Sequence, residues 1–263
     1  QYTQEETYDN NWMDLRLDFS GCSITVGNAK ADKPSGEDKI PDDTAKPDQP
    51  NGKPGQTVPG KGETIKSGKT SYKVTKAKAE VSFAKASGLS GAVTVMPSVT
   101  INGITYKITG IEPNAFSGNK KITKVTIGSN VKKIGKNAFK GCSKLKTVSI
   151  GKNVTLIGED AFLNCKELRN VTIPNQVKTI EKSAFSGCKK LKTVTIGTGL
   201  KTVGKNAFRN CKKLKTITIK SKKLKTIGKN AFYGVNADIR VPASKWKEYK
   251  KLAGGKKGYV KKI

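Results

Sequence analysis

One dipeptide recurs along the second half of the chain at an almost constant interval. Ala-Phe ends at Phe116, Phe139, Phe162, Phe185, Phe208 and Phe232. The intervals between these residues are 23, 23, 23, 23 and 24. A period of this length predicts a solenoid, in which each repeat adds one layer that buries its apolar face against its neighbours.

A strand pattern follows each Phe. Leu145, Val148 and Ile150 have equivalents in every repeat, for example Leu191, Val194 and Ile196. Because successive strand residues point to opposite faces, Val and Ile are expected to lie inside and the residues between them outside. A second apolar pair comes next, at Val131/Ile134, Val154/Ile157, Val177/Ile180, Leu200/Val203 and Leu224/Ile227. Each repeat should therefore add parallel strands about 4.8 Å from those of the previous layer.

The residues around each Phe predict a short turn with defined ends. Two residues before the Phe lie good helix N-cap formers: Asn114, Asn137, Asp160, Ser183, Asn206 and Asn230. Two residues after it lie residues that tolerate the left-handed C′ conformation: Gly118, Gly141, Asn164, Gly187, Asn210 and Gly234. We therefore expect a single helical turn, capped at both ends, with the Phe in the core.

These patterns place the chain in the leucine-rich-repeat class, whose units run from about 20 to 29 residues. The predicted fold class is an α/β repeat solenoid, dominated by β-structure with short helical turns. Residues 111–242 form the repeats, residues 70–110 an N-terminal β cap and residues 243–263 a C-terminal cap. Trp246 and Tyr249 are expected to cover the last layer. Such caps are needed because the ends of a repeat stack would otherwise expose apolar surface.

The first 69 residues have a different character. Residues 29–69 hold six of the ten prolines and little to bury, so they predict a disordered Pro/Gly-rich linker. Residues 1–28 show β-like alternation and are interpreted as a remnant of an upstream β domain or as docking strands. The chain contains no run of about 20 apolar residues, so no membrane insertion is predicted.

Charge separates the two parts of the chain. Residues 1–69 hold nine Lys and Arg against twelve Asp and Glu, whereas residues 70–263 hold 42 against eight. This excess favours acidic partners. Only four of the basic residues are Arg, at positions 16, 169, 209 and 240. Since Arg is the usual choice for bidentate base recognition, we expect nucleic acid to bind only non-specifically.

Four cysteines share one position of the repeat: Cys142, Cys165, Cys188 and Cys211. The same position holds Asn119 in the first repeat and Val235 in the last, which indicates selection for size and burial. We interpret the four as a structural ladder of buried thiols. Disulfides between adjacent layers stay open as an alternative, because the layer spacing is one that a disulfide can span. The chain has no His, so neither a Cys/His metal site nor a thiol–imidazole nucleophile is expected.

The outward strand residues form the candidate binding face. Its first row is Lys146, Arg169, Lys192 and Lys215, next to the strand Leu. Its second row, before the strand Val, is Thr147, Asn170, Thr193 and Thr216, and its third row, after that Val, is Thr172, Thr195 and Thr218. A further row on the second apolar arm, the second-arm rail, is Lys132, Thr155, Lys178, Lys201 and Lys225. Two like charges about 5 Å apart in water repel by roughly 0.8 kcal/mol before salt screening, so the lysine rows are tolerable without a ligand.

The repeat pattern L-x-x-V-x-I followed by V-x-x-I-G-x-N-A-F-x-x-C resembles the BspA-like leucine-rich repeats of bacterial surface proteins. The resemblance covers roughly residues 70–263, including YKITGIEPNAF at 106–116 and VPASKWKEYKKL at 241–252. The pattern departs from better-known leucine-rich repeats in its strand Val, Ile and Thr and in Cys where Asn often lies. The resemblance implies a bacterial protein that is secreted or displayed at the cell surface and is linked to adhesion.

The expected function is therefore non-catalytic binding of a protein, extracellular matrix or host-surface partner through the outward face. Two alternatives stay open: electrostatic binding of an acidic polymer (teichoic acid, acidic glycan or extracellular DNA), and a structural spacer. The eight carboxylates of residues 70–263 place no pair at one exposed position of neighbouring layers. We therefore expect no enzyme activity, no catalytic or metal site and no cofactor.

Overall fold

The computed structural model describes residues 57–252 and 260–262. The predicted β segment of residues 1–28 with Cys22, and the linker up to residue 56, lie outside the described residues. Two β-sheets of ten and eight strands enclose one continuous apolar core. The β-dominated solenoid predicted from the 23-residue period is thus confirmed. No helix among residues 57–252 and 260–262 is long and apolar enough to cross a membrane.

Six strands precede the repeats: β1 Thr64–Ser67, β2 Thr70–Lys76, β3 Glu80–Ala86, β4 Gly91–Val95, β5 Ser98–Ile101 and β6 Ile104–Ile111. β2 pairs antiparallel with β1 and β3, and β5 pairs antiparallel with β6. Asn102 and Gly103 close the β5–β6 hairpin with φ of 53° and 75°. Two residues of positive φ are what a type I′ hairpin turn requires.

The first strand of the cap begins earlier than the sequence predicts. β1 lies at Thr64–Ser67, inside the segment assigned to the linker, whereas the cap was expected to start at residue 70. Ile65 is the one large apolar side chain in this strand. Such a short stretch carries too little hydrophobic alternation to be distinguished from a polar linker.

Each repeat contributes one strand to each sheet. The second sheet contains β7 Ile122–Ile127, β9 Thr147–Ser149, β11 Asn170–Ile173, β13 Thr193–Ile196, β15 Thr216–Ile219 and β17 Asp238–Val241. The first sheet continues through the two-residue strands β8 Lys133–Ile134, β10 Leu156–Ile157, β12 Thr179–Ile180, β14 Thr202–Val203 and β16 Thr226–Ile227. Neighbouring repeat strands are parallel in both sheets.

The strand register follows the repeat length. Val171 pairs with Val194, and Val194 pairs with Ile217. All three side chains are 2% exposed or less. Because a slip of one residue would turn every such side chain outward, the apolar pattern fixes the register. The predicted inward and outward sets of the strand are therefore those of the structure.

The turn around each Phe differs from the expected helical turn. The six residues assigned as N-caps are left-handed, with φ between 54° at Ser183 and 61° at Asn114. A helix N-cap is extended, so that assignment was wrong. Asn and Asp tolerate the left-handed region as well as they cap helices, which explains the error. The positions after the Phe are left-handed as predicted, with φ of 71° at Gly141 and 59° at Asn164.

Hydrogen bonds in these turns alternate between neighbours along the chain and neighbours in the stack. The backbone N–H groups of Asn137, Phe139 and Gly141 donate to carbonyls of the following layer over 2.9, 2.7 and 2.7 Å. The intervening N–H groups donate to the carbonyl three residues earlier, over 3.0–3.3 Å. Overlapping β-turns thus replace the helix and leave no backbone donor of residues 137–142 unpaired, as buried donors require.

The Phe side chains form a continuous stack through the core. Successive ring centroids from Phe116 to Phe232 lie 4.7–5.8 Å apart, with interplanar angles of 2–11°. Phe83 of β3 extends the stack by one ring, 4.6 Å from Phe116, and Tyr72 closes it edge-on at 5.9 Å. The cap therefore supplies the aromatic partner that the first repeat would otherwise lack.

The C-terminal end of the solenoid is closed by a 3₁₀ helix, Ala243–Lys245, by α1, Trp246–Leu252, and by β18, Val260–Lys262. The buried hydroxyl of Tyr249 accepts from the N–H of Leu224 at 3.0 Å and donates to the carbonyl of Ser221 at 2.9 Å. Trp246 is partly buried against the core. Both predicted aromatic residues thus lie over the last layers. The backbone groups that Tyr249 satisfies belong to the repeat between Phe208 and Phe232, which has 24 residues instead of 23.

We expect the Phe stack to dominate the stability of the repeats. Phe162 is fully buried and lies 5.1 Å from the rings on both sides. Replacing it with Ala should lower the free energy of unfolding by about 3–5 kcal/mol, since the cavity cannot be filled by its neighbours. Urea unfolding followed by circular dichroism measures the change. Phe232→Ala is the matched control, because that ring is partly exposed and stacks on one side at 5.8 Å. Equal losses for the two variants would contradict this account.

Candidate functional site

The candidate binding face lies on the outer side of the second sheet. The second-row residue Asn170 pairs with Thr147 and Thr193, and Thr193 pairs with Thr216. In the third row Thr172 pairs with Thr195, and Thr195 with Thr218. The structure therefore brings the sequence-predicted Thr and Asn residues into two straight rows, one residue per layer.

The cationic row lies beside these two rows. The N–H of Arg169 donates to the carbonyl of Lys146 at 3.2 Å, Lys192 to Arg169 at 2.6 Å, and Lys215 to Lys192 at 2.9 Å. All four side chains are exposed. Because adjacent backbones are tied together in this way, the four basic side chains leave the sheet at equivalent points of successive layers.

The face is held rigidly from below. Each outward Thr alternates with a buried Val or Ile, so its backbone cannot move without disturbing the core. Within the face, the hydroxyl of Thr193 donates to Oδ1 of Asn170 at 2.8 Å. This cross-strand bond orients two polar side chains of the second row. The arrangement can present hydroxyl and amide groups to a ligand at fixed spacing.

An open depression of about 250 Å³ lies at the cationic side of the face. Arg169, Lys190, Lys192 and Lys213 line it. Lys190 and Lys213 are not among the residues that we assigned to the binding face from the sequence. Both are exposed and lie in the turns that precede β13 and β15, where strand alternation gives no signal for them.

One carboxylate interrupts this basic surface. Oε1 of Glu167 lies 2.8 Å from Nζ of Lys190. The hydrogen bond from Lys190 lowers the pKa of Glu167. Since Glu167 holds Lys190, the other three cations of the depression, Arg169, Lys192 and Lys213, are the ones available to an anionic ligand.

A further row of the repeat, the turn row, consists of Lys136, Glu159, Lys182, Lys205 and Lys229. Its first three residues form a second ionic cluster. Glu159 lies between two lysines, 2.8 Å from Lys136 and 3.0 Å from Lys182. The hydrogen bonds from both lower the pKa of Glu159 to about 2. The N–H of Glu159 in turn donates to Oε2 of Glu181 at 2.8 Å. The turn row is therefore partly neutralised, in contrast to the cationic row of the binding face.

The structure places the four repeat cysteines inside the turns, with none of their surface exposed. Each thiol donates to the carbonyl of the Phe in the preceding layer: Cys142 to Phe116, Cys165 to Phe139, Cys188 to Phe162 and Cys211 to Phe185, over 3.1–3.3 Å. Loss of solvation raises the pKa of Cys142 to about 12 and the pKa values of Cys165 and Cys188 well above the ordinary thiol range. Such thiols are poor nucleophiles, because the thiolate is the reactive form.

Asn119 performs the same task in the first repeat. Its Nδ2 donates to the carbonyl of Leu89 at 3.0 Å, and its Oδ1 accepts from the N–H groups of Lys121 and Ile122. In the first five repeats this position therefore holds a small side chain that donates to the preceding layer, whereas Val235 of the last repeat only packs against the core. Among the described residues, no three Cys, Asp or Glu side chains come together as a set of metal ligands.

We expect the four repeat thiols to react only after unfolding. In a Cys22→Ser variant, which removes the one cysteine outside the described residues, a thiol reagent at mildly alkaline pH should label none of the four in the native protein. In concentrated guanidinium chloride it should label all four, because unfolding exposes the thiols to solvent and to the reagent. Mass spectrometry counts the labels. Rapid labelling of the native protein, or fewer than four labels after unfolding without reductant, would contradict free buried thiols.

Glu159 should make stability depend on pH. Its folded pKa of about 2 lies below the ordinary value of 4.5, so its contribution is present above pH 4.5 and is lost as the pH falls toward 2. Glu159→Gln should lower the free energy of unfolding by about 1 kcal/mol at neutral pH, a magnitude typical of partly exposed pairs, and should flatten this pH dependence. Urea titrations over that pH range provide the measurement. The exposed Glu63 is the control, since Glu63→Gln removes the same charge far from the lysine pairs, and an equal effect of both variants would rule out the cluster as the cause.

Known proteins contain the same type of repeat as this chain. Residues 104–238 match the family model of the BspA type leucine rich repeat region, in six copies. A search among curated proteins gives no significant match. Among solved structures, a leucine-rich repeat protein of T. pallidum shares the fold, with a TM-score of 0.55 and 20% identity over 76% of this chain and 98% of that one.

Two further structures are similar at higher identity. A leucine rich cell surface protein of Faecalibacterium prausnitzii has a TM-score of 0.55 and 27% identity, covering 68% of this chain and 54% of that one. The pneumococcal vaccine antigen PcpA has a TM-score of 0.63 and 27% identity, covering 70% of this chain and 51% of that one. This chain thus spans about half the length of both proteins. With six matched copies over residues 104–238 and the two-sheet solenoid that they build, the chain belongs to the BspA-type leucine-rich repeat family.

Proposed function

We propose that this chain is a non-catalytic interaction module of a bacterial surface or secreted protein, and that it binds a protein or matrix partner through the binding face. The observation that carries the proposal is the registered array of outward Thr, Asn and basic side chains on the second sheet, of which Thr195, Thr216 and Thr218 are half-buried and the others exposed. Such an array is fixed in position before a ligand arrives, which reduces the entropy lost on binding.

Placement outside the cell is supported by the family and by two similar structures. One of these is described as a cell surface protein and the other as a vaccine antigen. A binding role is further supported by the carboxylates that the structure describes around the solenoid turns. Glu159, Asp160 and Glu167 each form an ion pair with a lysine, an arrangement that stabilises the surface and offers no free general acid or base.

The size of the face constrains its partner. Four layers about 4.8 Å apart and strands rising about 3.3 Å per residue give the three rows an area of roughly 200–250 Å². A standard interface buries about 800 Å² on each protein. A protein partner must therefore extend beyond the Thr rows onto the neighbouring lysines. The interaction should accordingly combine contacts of fixed shape with a component that salt weakens.

A bulky substitution at the centre of the face tests this proposal. The full chain is measured by biolayer interferometry against a panel of purified matrix proteins at physiological salt. We expect saturable binding to at least one of them, reduced at least about tenfold by Thr195→Arg, because central residues contribute most of the binding energy. The added charge is positive, so a loss reflects shape rather than reduced electrostatic attraction.

Thr202→Arg is the matched control, because it makes the same change on a repeat strand of the first sheet. Its affinity should equal that of the unaltered chain. Equal losses for both variants would place the contact away from the second sheet. Failure to bind any of the matrix proteins would favour the spacer role instead.

A further inference from the structure

One edge of the solenoid carries a dense group of positive charges with little compensation. Five inward residues, Ile122, Leu145, Leu168, Leu191 and Leu214, lie at or just before the start of a second-sheet strand. The two positions before each of them and the one position after it make up fifteen positions. We name the basic residues at these fifteen positions the basic edge: Lys120, Lys121, Lys144, Lys146, Lys166, Arg169, Lys189, Lys190, Lys192, Lys212, Lys213 and Lys215. All twelve are exposed, and Glu167 is the one acidic residue among the fifteen.

The basic edge is continuous along the stack. Backbone bonds join its layers, for example from Lys190 N–H to the carbonyl of Lys166 at 3.0 Å and from Lys215 to Lys192 at 2.9 Å. Five layers about 4.8 Å apart make a track of roughly 19 Å between the first and last strand. Twelve cations along this length approach the charge density of one per about 1.7 Å that a nucleic-acid duplex carries with opposite sign.

Charge on the other rows is arranged differently. On the turn row, Glu159 holds both Lys136 and Lys182, and Asp160 lies 3.3 Å from the neighbouring Lys140. The second-arm rail carries one cation per layer, except in the second repeat, where Thr155 replaces the Lys. The basic edge is thus the surface at which a polyanion gains most from each layer that it contacts.

The chemistry of the track selects among polyanions. Eleven of its twelve cations are Lys, which binds phosphate as a point charge rather than through a planar bidentate fork. None of the fifteen positions holds an aromatic residue on which a base could stack. The depression between Arg169, Lys190, Lys192 and Lys213 gathers cations from three successive layers around one open space. These features favour a narrow, flexible chain of phosphate groups without bases.

We propose that the basic edge, centred on the depression between Arg169, Lys192 and Lys213, is a binding track for a base-free phosphodiester polymer, a poly(polyol phosphate), lying along the solenoid axis. This assignment rests on the proposed function, since it takes the chain to be an interaction module. It names a second ligand class, at an edge that includes the cationic row of the binding face and adjoins the Thr rows. Binding is electrostatic and follows counterion release, so affinity falls steeply with salt.

Affinity of the full chain for biotinylated poly(glycerol phosphate) tests the track. We expect submillimolar binding at low salt and a slope of log affinity against log salt of about −0.7 for each phosphate contacted. With five contacts the affinity falls roughly a hundredfold between about 50 and 200 mM NaCl. Lys192→Gln combined with Lys213→Gln should weaken binding at least about tenfold at low salt and reduce the slope by about 1.4. Lys190 is left in place so that Glu167 keeps its partner.

Lys178→Gln combined with Lys201→Gln is the matched control, because it removes two exposed charges from the second-arm rail. It should change affinity less than about twofold. Equal losses for the two double variants would show that net charge alone attracts the polymer and would overturn the track. Absence of binding at low salt would overturn it as well.

Competition identifies the ligand class. Heparin, single-stranded DNA and duplex DNA are added at equal total charge, and poly(glycerol phosphate) should be displaced least by the DNA chains. Stronger competition by heparin or DNA than by free poly(glycerol phosphate) would overturn the base-free phosphodiester assignment. Thr195→Arg separates this proposal from the matrix-binding function, since it should leave polymer affinity unchanged or raise it. Either function can therefore fail while the other stands.

Discussion

Backbone hydrogen bonding between layers is the constraint on which the rest of this molecule depends. In the turns Phe139 donates to Ala161 at 2.7 Å, and on the second arm Lys178 donates to Thr155 at 2.8 Å. A layer that differs in length would misplace one of these bonds, and buried amides left unpaired are costly. The repeat length is therefore held near 23, and like side chains are forced to stack on like. The same rule that stacks Phe on Phe in the core stacks Lys on Lys outside. The repulsion of a lysine pair, about 0.9 kcal/mol in water at this spacing, is small beside the burial of a Phe.

Much of this architecture follows from period and alternation. The inward Val and Ile residues and the outward rows could be predicted because a strand has only two faces and the repeat fixes its register. The turn at Asn137 was misread, since one residue type suits both a helix N-cap and a left-handed turn. Phe83 could not be foreseen as part of the stack because it lies outside the 23-residue register. Its role emerges only from the pairing of β3 with β6, a contact distant in sequence.

The candidate site was predicted in part for the same reasons. The rows of Thr172 and Lys192 follow from strand alternation, whereas the depression depends on side chains from three layers converging. Lys190 and Lys213 reach it from the turns that precede β13 and β15, which strand alternation does not describe. Which lysines are neutralised is also a three-dimensional property. Glu159 and Glu167 lie on different rows, and each compensates only the cations that its own row brings near. The uneven charge of the repeat surface thus depends on where a few carboxylates lie, although the repeats are lysine-rich throughout.

The two ends of the solenoid differ from everything between them. Tyr72 closes the aromatic stack at one end, and Tyr249 satisfies backbone groups of Ser221 and Leu224 at the other. The interior layers are far more alike, since residues 134–150 and 203–219 are identical at 11 of 17 positions. A recombination event between two interior repeats would insert or delete one whole repeat without creating a new kind of contact between layers. The number of repeats then becomes a heritable property. The length of the solenoid along an extended ligand changes by one layer at a time, while both ends stay unchanged.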